Sequence, residues 1–227
     1  MQFLEHSFIG LRSARHSLTH SDRDVTVTLF PMVHLGCADF YESVFDDARA
    51  HEAVLVEGIV SPVTRRLTRA YRWVCVEKLG LAVQPKFTPG TARLIHADLS
   101  GPAFDALWRT APWRERVLLE TLASLMGLWL RFSATRETLG RGLSTHDLTN
   151  RDDIMMWNAR RAPMLSALKD ARDAVLCKEM SALLSEEKGP KTIAVIYGAG
   201  HMPALFRSLD DRGFRVTDSR WLKVFET

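Results

Sequence analysis

Two histidines that each close a β-branched, apolar segment are the residues of this sequence best suited to chemistry. His34 ends the segment that begins at Val25, and His201 ends the segment that begins at Lys191. A stretch with helical periodicity follows each histidine. Because α/β proteins carry their chemistry where strand ends lead into helices, we expect both histidines at one edge of a sheet.

A glutamate closes a third apolar segment. Residues 53–56 form a continuous apolar run that leads into Glu57, and a predicted amphipathic helix over 38–50 separates this run from the strand predicted over 25–33. A strand, a helix and a second strand form a βαβ unit with a right-handed crossover. We therefore expect the carboxyl ends of the two strands to lie beside each other, with His34 and Glu57 on one rim.

His34, Glu57 and His201 together have two chemical interpretations. Two imidazoles and a carboxylate are ligands for a divalent metal such as manganese, cobalt or zinc. Alternatively, Glu57 orients a histidine that acts as a general base on water. A structural role is also open: His34 is then satisfied by neighbouring carbonyls, His201 is incidental to a glycine-rich connection between strand and helix, and Glu57 is paired with an arginine or reaches solvent.

Four short motifs, in order, resemble the TraB/PrgY/GumN family, which belongs with the Tiki proteases and, more distantly, with the erythromycin esterases and ChaN-like proteins. The motifs are His34 after its strand, Glu57 after the next strand, the segment Asn150-Arg-Asp-Asp-Ile-Met155, and Gly198-Ala-Gly-His201. The family pattern has two Gly-x-x-His motifs, a glutamate on the second strand, and an arginine in a helix before the second motif. The resemblance covers about 25–225.

The resemblance implies a role for Arg151 and for the second glycine motif. Arg151 would point inward and clamp a substrate carboxylate or an oxyanion, in place of a role at a solvated helix start. With it, Tyr197, Gly198 and Gly200 are the predicted substrate-binding residues, although Tyr197 also suits the core. The catalytic set is then His34, Glu57, Arg151 and His201.

One position departs from the family pattern. Pro31 stands where the family has a glycine three residues before the first histidine. Proline fixes φ and removes a backbone donor, so the first half of the site is expected either to bind less tightly or to tolerate a turn there.

The composition excludes several function classes. The net charge of +3 is spread among interspersed acidic and basic residues, so nucleic-acid binding is not expected. Three cysteines far apart favour reduced thiols of a cytoplasmic protein, and the polar N-terminus does not look like a secretory signal. Motifs for a phosphate loop, a serine-hydrolase elbow and a His-Glu-x-x-His helix are missing from the sequence.

The most hydrophobic stretch, 118–132, has apolar residues at helical spacing. It contains Glu120 and Arg131 and is shorter than the roughly 20 apolar residues of a spanning helix. We expect a core helix or a homodimer contact there, in preference to peripheral membrane contact.

The predicted fold is α/β, a mixed sheet with flanking helices and a helical insertion that covers the strand-end cleft. We expect one domain over 1–227, with a mainly helical subdomain at about 103–187. Further elements are predicted as a hairpin of 3–11 and 12–20, a helix over 62–79, a strand over 92–98, a helix over 201–212 and a closing strand or two over 214–225.

The favoured function is metal-dependent hydrolysis of a peptide or another small acyl substrate. Two alternatives stay open: a metal-free, esterase-like enzyme with histidine as acid and base, and a non-catalytic protein that binds a peptide, a metal or haem in the same cleft.

Overall fold

The computed structural model describes residues 1–141, 145–146 and 163–227, and it has the predicted mixed α/β architecture. The strands, in chain order, are β1 (Gln2–Ser7), β2 (Gly10–His20), β3 (Thr26–Met32), β4 (Leu35–Gly36), β5 (Ala53–Val56), β6 (Ala82–Val83), β7 (Arg93–His96), β8 (Thr145–His146), β9 (Thr192–Gly198) and β10 (Phe214–Glu226). The helices are α1 (Ala38–Arg49), α2 (Pro62–Leu67), α3 (Arg69–Trp73), α4 (Gly101–Thr110), α5 (Trp113–Ser133), α6 (Arg136–Gly140), α7 (Pro163–Leu184) and α8 (Met202–Asp210).

Four parallel strands in the order β7-β5-β9-β3 form the centre of the main sheet. Antiparallel β2 pairs with β3 and β1 along one edge and with β10 along the other. The predicted βαβ unit is present, with one correction. Because β9 lies between β3 and β5, the carboxyl ends of these two strands share an edge without being neighbours.

The strand residues alternate between two apolar cores, as expected of a sheet covered on both faces. Leu55 packs in the cluster that includes residues of α7 and α8. Its neighbour Val54 packs in the opposite cluster, which includes the buried face of α1. These helices fix the strand ends firmly enough to position side chains there.

The helices α2 and α4 begin directly beyond the ends of β5 and β7. Each is capped by a serine whose hydroxyl accepts backbone N–H groups of the first turn, Ser61 for α2 and Ser100 for α4. The helix predicted over 62–79 is divided into α2, α3 and a 3₁₀ turn (Val76–Leu79), because the backbone departs from helical geometry at Thr68 and is extended at Val74. The helix predicted over 201–212 begins at Met202, after a 3₁₀ turn (Ala199–His201).

The core interpretation of 118–132 is wrong in part. This stretch is helical, within α5, but most of its large apolar residues lie on the exposed side of the helix. Its opposite side packs on α3, through Gly127, and in a small cluster through Leu130. Periodicity locates an apolar stripe, but it does not say whether another element covers that stripe. None of the helices in the described ranges is both long and apolar enough to cross a membrane.

Candidate active site

The carboxyl ends of the four parallel strands bring several predicted residues to one edge of the sheet. Met32 and Gly198 are paired in register on β3 and β9, and His34 follows two residues later. Glu57 directly follows β5, and its N–H donates to the carbonyl of Ile196 at 3.4 Å. The structure therefore places His34, Glu57 and the Gly198–His201 turn on the same rim, as the βαβ argument predicts.

An arginine that the sequence motifs did not single out holds the centre of this rim. Arg172, from the middle of α7, forms a bidentate pair with Asp98, with Nε–Oδ1 at 2.9 Å and Nη2–Oδ2 at 2.8 Å. Its Nη2 also lies 3.3 Å from Oε2 of Glu57. Burial opposes the charged form, but the hydrogen bonds and charges of its carboxylate partners raise the pKa of Arg172 above its ordinary value. Arg172 thus remains a fixed positive charge.

Asp98 is the carboxylate that holds Arg172 in place. It follows β7, and its side chain is only 1% exposed. Its two oxygens accept the N–H groups of Gly58 and Leu99 in addition to the Arg172 pair. A buried carboxylate that accepts this many hydrogen bonds is held in one orientation. Asp98 therefore fixes the direction in which the Arg172 guanidinium points.

Gly198 allows Glu57 to approach the backbone of β9. The Gly198 N–H donates to Oε2 of Glu57 at 3.0 Å. A Cβ at this position would lie 3.1 Å from that oxygen and 3.6 Å from Cδ2 of His201. By contrast, a Cβ on Gly200 would meet no atom within 4 Å. A side chain at Gly198 would therefore force Glu57 to shift by a few tenths of an ångström, and the Gly198 N–H is already used by Glu57 rather than free for a substrate.

His201 is held in one orientation by a carboxylate. Its Nδ1 lies 2.5 Å from Oδ1 of Asp173, and Lys169 Nζ lies 2.6 Å from the other oxygen of that carboxylate. Because a carboxylate accepts hydrogen bonds, the Nδ1 atom carries the proton, and the lone pair is assigned to Nε2. No hydrogen bond joins Nε2 to a residue in the described part of the chain. His201 therefore has the tautomer of a general base.

Tyr197 supports this arrangement from inside the core. Its side chain is fully buried, which agrees with the core alternative, and substrate binding by Tyr197 stays a prediction. Its ring packs edge-on against His201, with centroids 5.1 Å apart, and the guanidinium of Arg172 lies 5.6 Å from its centre. Burial raises the pKa of Tyr197, so the hydroxyl stays protonated. Tyr197 therefore contributes to the site by packing against His201 and Arg172.

His34 lies in a more open part of the rim. Its side chain is exposed, and its ring packs against Tyr71 of α3 with centroids 4.7 Å apart. The surrounding protein lowers the pKa of His34, the Glu57 carboxylate raises it and Arg172 lowers it, with a net decrease. His34 therefore lies at the exposed part of the rim, within reach of the charges of Glu57 and Arg172.

The predicted metal ligands do not fit a metal in this arrangement. Within the described ranges, no group of three or more His, Cys, Asp or Glu side chains is placed to hold a metal ion. Glu57 accepts from Arg172 and Gly198 through one oxygen, and the Arg172 charge would repel a cation brought to that carboxylate. Binding of manganese, cobalt or zinc by His34, Glu57 and His201 remains a prediction for elemental analysis.

The structure bears differently on the predictions for Arg151 and Pro31. Arg151 lies outside the described residues, so its inward orientation stays a prediction.

Pro31 is the penultimate residue of β3, opposite Tyr197, and its carbonyl accepts the Ser13 hydroxyl at 2.7 Å. The proline therefore continues a strand there and forms no turn.

The helical pattern of α7 contains a sequence signal for three further site residues, Lys169, Arg172 and Asp173. They share one side of α7 between the buried residues Leu168 and Leu176. Charged residues that interrupt a buried apolar stripe need partners in the fold. Sequence periodicity marks such residues but does not identify the partners.

Comparisons with known proteins found no match to this chain among family models, curated proteins or solved structures. The resemblance to the TraB/PrgY/GumN family therefore still depends on its four short motifs alone.

Proposed function

We propose that this protein hydrolyses peptide or other acyl bonds with His201 as the general base. One observation carries the proposal: Asp173 holds Nδ1 of His201 at 2.5 Å, on a rim where the ends of four parallel strands meet. This is the geometry in which a carboxylate fixes the tautomer of a base and stabilises the imidazolium formed when the base takes a proton.

The positive charge of Arg172 suits the step in which negative charge develops on the substrate. Nε2 of His201 would take a proton from water as the water attacks the acyl carbon. Negative charge then develops on the carbonyl oxygen. Arg172 is a fixed cation whose Nη1 has no hydrogen-bond partner among the described residues, and it is the group best suited to stabilise that charge. Once charged, the imidazolium would return its proton to the leaving group.

Lys169 and Asp98 have positioning roles in this proposal. Lys169 neutralises the outer oxygen of Asp173, and Asp98 fixes Arg172. Neither needs to touch the substrate. The proposal uses no metal, since the donor set around Glu57 does not fit one.

The test is turnover of a panel of chromogenic esters and short peptides by the full chain, with and without a chelator, and with added manganese, cobalt or zinc. We expect hydrolysis that survives chelation and is lost in His201→Gln. Turnover that requires an added metal would favour the metal-dependent mechanism instead. A wild-type protein that hydrolyses none of the panel but binds a peptide or haem would favour the non-catalytic alternative.

A further inference from the structure

The outward face of α5 carries a continuous apolar stripe that no described segment covers. Its members recur at alternating spacings of four and three residues and are each 51% to 79% exposed: Leu118, Leu122, Leu125, Trp129 and Phe132. Exposed apolar residues scattered singly are normal, but a stripe that follows the length of a helix marks an interaction surface. We call these five residues the α5 stripe.

The helix lies flat against the rest of the protein. On its inner side, a Cβ on Gly127 would approach Ala70 and Trp73 of α3 to 2.8 Å, so the two helices are in close contact. Leu130, on the same side, is buried. A helix fixed in this way can present one face to a flat surface, which is the geometry of helices that bind at a lipid interface.

The charges around the α5 stripe are mainly positive. The acidic residues of α5 are engaged by the protein: Glu120 pairs with Arg66 at 3.0 Å, and Glu115 accepts the Met164 N–H at 3.1 Å. Arg114 and Arg131, near the two ends of the helix, are exposed. The neighbouring segment 58–76 has four arginines and no acidic residue.

A groove beside the start of α5 adds further cations. It has a volume of about 490 Å³ and lies between α2, α4 and α5. Its charged lining comprises Arg66, Arg109 and Arg116 together with two carboxylates, Asp105 and Glu120. Nε of Arg116 is buried and has no hydrogen-bond partner among the described residues. The three arginines of the lining outnumber its two carboxylates, so the groove carries a net positive charge.

We propose that the α5 stripe binds the surface of an anionic lipid bilayer, with the flanking arginines on lipid phosphates. The charge pattern favours this occupant over a second copy of the chain. Apposing two copies would bring arginine-rich surfaces together without exposed acidic partners on α5, whereas an anionic leaflet supplies the missing negative charge. Trp113, Trp129 and Phe132, near the two ends of the helix, also suit the headgroup level.

The experiment is co-sedimentation of the full chain with vesicles of phosphatidylcholine alone and of phosphatidylcholine mixed with phosphatidylserine. We expect binding to the mixed vesicles only, with a loss of binding as salt is raised. The double variant Leu122→Ser/Leu125→Ser should lower binding by more than about tenfold, since affinity scales with buried apolar area. Arg114→Gln/Arg131→Gln should lower it by a similar factor.

Matched controls separate this surface from general stickiness. Phe8→Ser alters a side chain that is 92% exposed in the β1–β2 turn, and Arg141→Gln alters an exposed arginine beyond α6; neither should change binding. Light scattering of the wild type should give a monomer. Equal binding to both vesicle types, no binding to either, or a dimer that the Leu122→Ser/Leu125→Ser variant dissociates would each overturn the proposal.

Discussion

The two histidines on the rim differ in how deeply they are buried and in their hydrogen bonds. His201 is 7% exposed, has Nδ1 bound to Asp173 and packs against Tyr197. His34 is exposed and contacts Tyr71, and its imidazole makes no hydrogen bond to a residue in the described ranges. The sequence motifs mirror each other, but only the second half has the partners that fix a tautomer. The helix that packs beside a strand-end histidine thus decides whether its tautomer is fixed, and α7 does so for His201.

The largest effect on activity is expected when each histidine is replaced by glutamine. His201→Gln should reduce kcat/KM on any substrate found in the panel by about 10²–10⁴, the scale of a positioned acid–base group. His34→Gln should cost much less, because no hydrogen bond within the described residues fixes the tautomer of its ring. Steady-state kinetics on both variants checks this, with thermal melting to verify folding. Equal losses in the two variants would abolish the distinction between the halves.

The link between the halves is the Arg172 network, and breaking it should act mainly on stability. Asp98→Ala would leave the Arg172 guanidinium without its bidentate partner in a largely buried site. The expected loss is about 3–5 kcal/mol in the free energy of unfolding, measured by denaturant titration. Glu137→Gln removes one partner of an exposed ion pair with Arg141 and should cause no measurable change. Similar results for the two variants would mean that the rim is not held by Asp98.

A smaller effect is expected from a single methyl group at the glycine motif. In Gly198→Ala, the new Cβ must push Oε2 of Glu57 away by a few tenths of an ångström. Activity should fall by roughly tenfold, less than the factor associated with a 1 Å misplacement. Gly200→Ala is the matched control, since its Cβ would meet open space. If Gly200→Ala is the more damaging variant, the close approach of Glu57 is not what the motif provides.

The smallest effect concerns pH and His34. Its pKa is lowered in the folded protein, while the unfolded value is about 6.5. The unfolded chain therefore binds more protons between these two values, so the contribution to stability is present above about pH 6.5 and is lost as the pH falls through the folded value. His34→Gln should flatten this dependence in melting curves. The buried His16, whose pKa is also lowered by burial, remains in both proteins and cancels in the difference.

Short-range patterns predicted the strands of this site well. The apolar runs that end at His34, Glu57 and Gly198 became β3, β5 and β9, because continuous apolar segments are typical of strands buried on both faces. The insertion of β9 between β3 and β5 was not predictable, since strand order depends on pairing between distant segments.

The partners of the site were harder to predict. Arg172 reaches Asp98 across 74 positions in the sequence, and a helical pattern gives the side of α7 on which it lies but no partner. The sequence does not single out Asp98 either, because helix caps and buried ion-pair partners use the same residue type. The α5 stripe shows the same limit, since apolar spacing does not reveal whether a face is covered.

The most direct test of the account is Asp173→Asn, which keeps the volume but replaces the carboxylate that fixes His201. The pH dependence of kcat/KM and the melting temperature should be measured together on this variant and the wild type. We predict a loss of at least about 10² in kcat/KM, because the amide no longer enforces the Nδ1–H tautomer, with a melting temperature close to that of the wild type. Unchanged kcat/KM would contradict the account, and so would a loss of activity that only follows a loss of folded protein.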